Sequence, residues 1–178
     1  MTDTTRKWIS SRAAITLALA IVVCAFIPQR TLFPLAAATP RGAWWRLLTS
    51  QFLHVYIAHA MLNALAVLVL ATQVERRVRA IGLLLVFFIT GTIGQLVALR
   101  VVPNYPATGA SNAALGLAGA LLFSRASTWC PLAYLALQIA LDLAFAGHVK
   151  SPHLASFAAG ALLGISYRVS RGNARAAR

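Results

Sequence analysis

An all-α bundle of six membrane-spanning helices is the fold class this sequence predicts, and three observations predict it. First, 60% of the 178 residues are hydrophobic and only 11% are charged, with a mean hydropathy of +0.75. Ordinary water-soluble domains are far more polar than that. Second, six apolar segments come close to the roughly 17–20 residues that a helix needs to cross a bilayer core. Third, the 16 Lys and Arg residues lie between those segments and at the two ends of the chain. A net charge of +13 would suggest nucleic acid in a soluble domain. Placed between apolar segments, the same charges read as topology signals, and no nucleic-acid partner is expected.

The first span covers about residues 13–28 (AAITLALAIVVCAFIP), preceded by Arg6, Lys7 and Arg12. A secretory signal peptide has similar features, and LAAA at 35–38 resembles a cleavage site. Pro28, Gln29 and Arg30 separate that site too far from the apolar run, so a retained signal anchor is expected. The loop at 29–55 is the longest connection. Its Trp44, Trp45 and Phe52 favour the interface or partial entry into the membrane. The remaining spans are about 56–74, 80–100, 109–124, 129–146 and 152–168. Trp8, Tyr105, Trp129 and Tyr167 fit interfacial anchors, and His148 fits a solvated position in a short loop. The tails MTDTTRKW and SRGNARAAR are polar and expected to be mobile. No soluble domain, linker or repeat is visible, so residues 1–178 read as a single membrane domain. Eleven Lys and Arg residues fall on one side of the six spans and five on the other, which predicts that both termini are cytoplasmic. Cys24 and Cys130 lie in or beside apolar segments and suggest neither a disulfide framework nor a metal site.

Strongly polar side chains inside a span cost on the order of 2.5–3.5 kcal/mol each, so each needs a physical reason. They are His54, His59, Asn63, Glu75, Ser111, Asn112, Gln138, Asp142 and His153. His59 and Asn63 are four residues apart and share one helix face, with His54 just ahead of them. Ser111 opens the fourth span and His153 opens the sixth, both at the outer depth of His54, His59 and Asn63. Taken singly, Ser111 reads as a small helix-packing residue, His153 as an interfacial side chain and Asn63 as a hydrogen-bonding residue between helices. Their convergence points elsewhere. The fourth span, GASNAALGLAGA, is built almost entirely of small residues. The sixth carries His153, Ser156, Gly160 and Gly164 along one stripe. Small residues at four-residue intervals let two backbones touch. Close packing of these two spans would bring the His153 imidazole toward Ser111, giving a hydroxyl nucleophile a base of suitable pKa. The Ser111 backbone N–H, His59 and Asn63 are candidate donors to an oxyanion. Gln138 and Asp142, also four residues apart, are expected to pair with each other or face the bundle interior.

At this point the chain resembles the rhomboid intramembrane serine proteases. The resemblance covers about residues 44–166. It rests on WWRLLTSQFLH, HVYIAHAMLN, the following VERR, GASNAALG and PHLASFAAGALLG. It implies a Ser/His dyad of Ser111 and His153 with no catalytic acid, which removes any need to recruit Asp142. It also implies oxyanion donors at His59, Asn63 and Ser111, and an outer position for His54. Gly109 matches the first glycine of the family's Gly-x-Ser-Gly motif, whereas Asn112 stands where the second usually is. Leu115 stands where an aromatic ring often stacks on the histidine, and Ser156 replaces a common glycine. Trp45 and Arg46 match a first-loop pair and Glu75 an acid at the cytoplasmic end of the second helix, both in supporting roles. Gly116, Gly160 and Gly164 serve helix packing. The implied activity is cleavage of transmembrane segments of other membrane proteins near the outer membrane surface. No cofactor or metal is implied, and the partners are substrate helices and the lipid bilayer. The short chain is similar to the compact six-helix bacterial type, including rhombosortase-like processing proteases, which implies a multi-pass protein of the inner membrane. Two alternatives remain open: a silent rhomboid-like protein that binds transmembrane helices without cutting, kept by Asn112, and a small transporter with a polar path.

Overall fold

The computed structural model describes residues 11–28, 31, 33–36, 43–101, 107–145 and 150–176. Trp8, Arg30, Arg41, Tyr105 and His148 lie outside the described residues, as do the first ten positions. Every element among the described residues is helical. In order these are α1 (Arg12–Ala25), α2 (Arg46–Thr49), α3 (Ile57–Val101), α4 (Ser111–Phe123), α5 (Trp129–Phe145) and α6 (Lys150–Ala176), with 3-10 turns at Phe33–Leu35 and Ser50–Phe52.

The predicted second and third spans both fall within α3, and no loop separates them. A single residue, Arg79, breaks the 45-residue helix with φ 63° and ψ 177°. That is a left-handed excursion an L-residue adopts only at a cost, and it reverses the chain within one peptide unit. Each arm then holds roughly 22 residues and is about 33 Å long. Among the described residues α3 is the one helix long and apolar enough to cross a membrane by length and composition, while α1, α4 and most of α5 are shorter apolar helices.

The bundle is organised around α4. Every residue from Ser111 to Leu121 is buried, whichever way it faces. Alanine and glycine make this possible, because neighbouring helices can approach a nearly smooth cylinder from all sides. On α6, a Cβ at Gly160 would overlap the carbonyl oxygen of Gly116, and one at Gly164 would overlap that of Ala120. In return, Gly119 faces the backbone of Phe157, and Gly116 also accommodates Thr90 from the second arm of α3. Ser156, fully buried, donates its hydroxyl proton to the Thr90 carbonyl at 3.0 Å.

The end of the bundle away from Ser111 has its own fastening. The carboxylate of Glu75 accepts the backbone N–H groups of Ala13 at 3.2 Å and Ala14 at 2.9 Å. Ser11 supplies no side-chain cap, so Glu75 caps α1 from α3 and places negative charge at its N-terminus. The tail expected to be mobile is instead helical as far as Ala176. The Tyr167 hydroxyl donates to the Arg77 carbonyl at 3.0 Å and receives a hydrogen bond from Arg171 at 2.9 Å, which ties this extension to α3.

Candidate active site

The segment leading into α4 is held in an unusual conformation. Gly109 has φ +110°, which L side chains rarely adopt, so glycine is needed for the chain to turn into the helix. Its N–H donates to the Ser50 carbonyl at 3.0 Å, and its carbonyl accepts from Gln95 Nε2 at 3.4 Å. The next N–H, of Ala110, donates to His54 Nε2 at 3.2 Å. Ser50 itself belongs to the turn after α2, where Leu47, Ser50, Gln51 and Leu53 are all buried. The residues around the first-loop WR pair therefore pack inward, and Phe52 reaches the rings of Phe87 and Phe88. Trp45 remains half exposed with the Arg46 guanidinium 5.4 Å from its ring centroid.

Ser111 is the first residue of α4, where backbone N–H groups have no partner within the helix. His153 lies in the first turn of α6, directly after Pro152, a residue suited to a helix start. Contact between α4 and α6 brings the two side chains together, with Ser111 Oγ 3.0 Å from His153 Nε2, both buried. The other ring nitrogen, Nδ1, lies 2.7 Å from Asp142 Oδ2 on α5. Gln138 Nε2 donates to Asp142 Oδ1 at 2.9 Å, and the Tyr134 hydroxyl lies 3.4 Å from Gln138 Oε1. Gln138 and Asp142 thus pair with each other as expected. The contact of Asp142 with His153 is not one that the resemblance implies. The missed signal was the four-residue repeat Tyr134, Gln138, Asp142, which lines one face of α5 with groups able to hydrogen-bond in series.

His59 and Asn63 stand one turn apart on α3, but Asn63 pairs with His54, its Nδ2 lying 2.9 Å from His54 Nε2. The second N–H of that amide remains geometrically distinct from the one so used. His59 sits at the exposed mouth, its ring edge-on to His54 with centroids 5.1 Å apart. Asn112 turns away from the serine. A Cβ at Gly94 would overlap its amide group, and its buried Oδ1 has no hydrogen-bond partner among the described residues. The side chain therefore fills space between α4 and α3 and does not crowd the position in front of Ser111. Leu115 is buried one turn further on. Among the described residues no group of three His, Cys, Asp or Glu side chains is arranged to hold a metal ion.

His54 therefore holds more of the site than an outer position implies. Its Nε2 accepts from Asn63 and Ala110 while Nδ1 lies 3.3 Å from the Phe52 carbonyl, an arrangement that needs a neutral ring protonated at Nδ1. Burial, and then the neighbouring His59, push its pKa down to about 4. A folded-state pKa below the ordinary 6.5 means that the neutral ring stabilises the fold above that pH, and that this contribution is lost as pH falls toward 4. The expected loss is on the order of 2 kcal/mol. Thermal unfolding at pH 7 and pH 4.5 should show His54→Gln less stable than wild type at the higher pH, with the gap narrowing at the lower one. A gap that is constant with pH would overturn this assignment.

The helices thus bury a serine hydroxyl against an imidazole beside a helix N-terminus. The Rhomboid domain family matches residues 41–170, and the chain belongs to the rhomboid family. Its members are integral membrane proteins and generally serine intramembrane proteases, some of them inactive. The chain is 42% identical over 83 residues to the rhomboid protease GluP of Bacillus subtilis, covering 47% of this chain and 16% of that protein. It is 36% identical over 83 residues to the putative rhomboid protease YdcA of the same organism, covering 46% and 42%. It is also 30% identical over 93 residues to the inactive RHOMBOID-like protein 8 of Arabidopsis thaliana, covering 52% and 26%. In each case the match spans less than half of the relative's length.

Proposed function

We propose that this chain is an intramembrane serine endopeptidase that cuts transmembrane segments of other membrane proteins near the outer surface of a bacterial inner membrane. The observation that carries the proposal is the 3.0 Å approach of Ser111 Oγ to His153 Nε2. Six spans with both termini cytoplasmic put the Ser111 end of the bundle outward. Exposed Leu65, Ile81, Leu85, Leu143 and Leu162 on the outer faces of α3, α5 and α6 suit contact with lipid and with substrate helices.

In the reaction, Ser111 Oγ bonds to the scissile carbonyl carbon as its proton passes to His153 Nε2, and the carbonyl π electrons move onto oxygen. The oxyanion is met by the Ser111 backbone N–H at the start of α4, with His59 and the second N–H of Asn63 as further donors. Collapse of the tetrahedral intermediate breaks the C–N bond, and the same imidazolium gives its proton to the departing amine. Water then repeats the sequence to release the acyl group and free Ser111.

Detergent-purified protein treated with a fluorophosphonate probe should be labelled covalently, and Ser111→Ala should not be labelled. Absence of labelling in the folded wild type would instead favour a silent helix-binding member. The inactive plant relative is the observation that supports this second reading.

A further inference from the structure

We infer that Asp142 completes a Ser111–His153–Asp142 relay, acting as a positioning residue on His153 and held in place by Gln138; this rests on the protease reading above. The geometry is specific. A serine that gives its proton to Nε2 requires Nε2 to be bare and Nδ1 to carry the ring proton. Only an acceptor at Nδ1 selects that tautomer, and Asp142 Oδ2 stands there at 2.7 Å, the short range of a charge-assisted hydrogen bond. The carboxylate oxygen not facing the histidine accepts from Gln138 Nε2 at 2.9 Å, and Gln138 in turn receives the Tyr134 hydroxyl. The carboxylate is fixed from two sides, so the plane of the imidazole is fixed as well.

The chemistry gives this arrangement a task. When Ser111 attacks, His153 becomes an imidazolium in a mostly buried position, its side chain only 7% exposed and that of Asp142 13%. A cation forming there is costly without a fixed counter-charge. Among the described residues the other groups hydrogen-bonded to or facing the ring are Ser111 from α4, which is neutral, and Gln138 from α5, whose Nε2 lies 3.4 Å from Nδ1 and carries no charge. His59, at the exposed mouth, supplies no negative charge. Asp142 is thus the carboxylate placed to balance the cation while the proton moves between Oγ and Nε2. The same bond joins α5 to α6, so the position of α5 sets the orientation of the base.

The test uses saturation kinetics of fluorophosphonate labelling on the full chain, which separate probe binding from the covalent step. Asp142→Asn keeps the shape but offers an N–H to Nδ1, favouring the wrong tautomer. The covalent step should slow on the order of 100- to 10,000-fold with little change in probe binding. Asp142→Glu should recover part of the rate, which a purely structural role would not produce. Labelling of Asp142→Asn at the wild-type rate overturns the relay and leaves the protease reading standing. A folded wild type without Ser111-dependent labelling overturns both. Should Asp142→Asn fail to fold, proton NMR of the wild type decides between relay and dyad. A far-downfield Nδ1 proton that disappears in His153→Ala is expected, and its absence overturns the relay.

Discussion

His153→Ala should lower the rate of Ser111 acylation on the order of 100- to 10,000-fold while the bundle stays folded. A serine hydroxyl is a poor nucleophile until a base within hydrogen-bond reach takes its proton, and His153 Nε2 is the basic group on Ser111 Oγ. The substitution also removes the partner of Asp142 Oδ2, at a cost on the order of 1–3 kcal/mol, but Gln138 continues to hold the other carboxylate oxygen. The seat of α6 does not depend on the imidazole. Ser156 remains bonded to Thr90, and Gly160 and Gly164 remain against the backbone of α4. Loss of reactivity should therefore appear without loss of the near-ultraviolet circular dichroism that reports tertiary packing. Because Ser111 and His153 act as one unit, Ser111→Ala with His153→Ala should be no worse than Ser111→Ala alone. An acylation rate within a few-fold of wild type in folded His153→Ala would remove His153 from its proposed role.

Several parts of this arrangement are legible in the sequence alone. Among the described residues the long helices fall on the apolar runs, because a continuous apolar run has few other uses. The Ser156, Gly160 and Gly164 spacing indicates which face of the sixth helix lies against a neighbour, because backbone contact requires small residues at a helical period. The order of the apolar segments suggests that Ser111 and His153 open their helices on the same side, and the two side chains do meet at the starts of α4 and α6.

What stays hidden depends on angles that periodicity does not contain. His54 and Asn63 are nine residues apart across an extended stretch and a helix start, so no single period links them. Asp142 and His153 sit on different helices, and their meeting depends on how α5 is rotated about its own axis. The Gln138 spacing offers a local partner for the same carboxylate, and that pairing is real, but it uses only one of two oxygens. The direction of Asn112 is hidden for another reason. Residues all round α4 are buried, so no polar face marks which side looks toward α3. The break at Arg79 carries no Gly or Pro at that position, and the run of basic residues there signals a span end without specifying a one-residue reversal.

The packing of α4 on α6 leads to a second large effect, in which one substitution at two glycines of the same helix should act in opposite directions. Gly160→Ala adds a methyl group where Gly116 already places its carbonyl oxygen, and neither partner is a flexible side chain that could move aside. The helices must separate, at an expected cost of about 1–3 kcal/mol for an overpacked contact. His153 lies seven residues before Gly160, two turns or about 10 Å along the helix, so separation there pulls the imidazole from Ser111. Gly160→Ala should therefore unfold at lower temperature in detergent and label more slowly, although no group of the site has been altered. Gly172, further along α6, has open space where its Cβ would stand. There alanine only improves helix propensity, and Gly172→Ala should gain up to about 1 kcal/mol with unchanged labelling. Equal melting temperatures for the two variants would mean that the α4–α6 contact is not what holds base and nucleophile together. A lower melting temperature for Gly160→Ala with full labelling would confine that contact to stability.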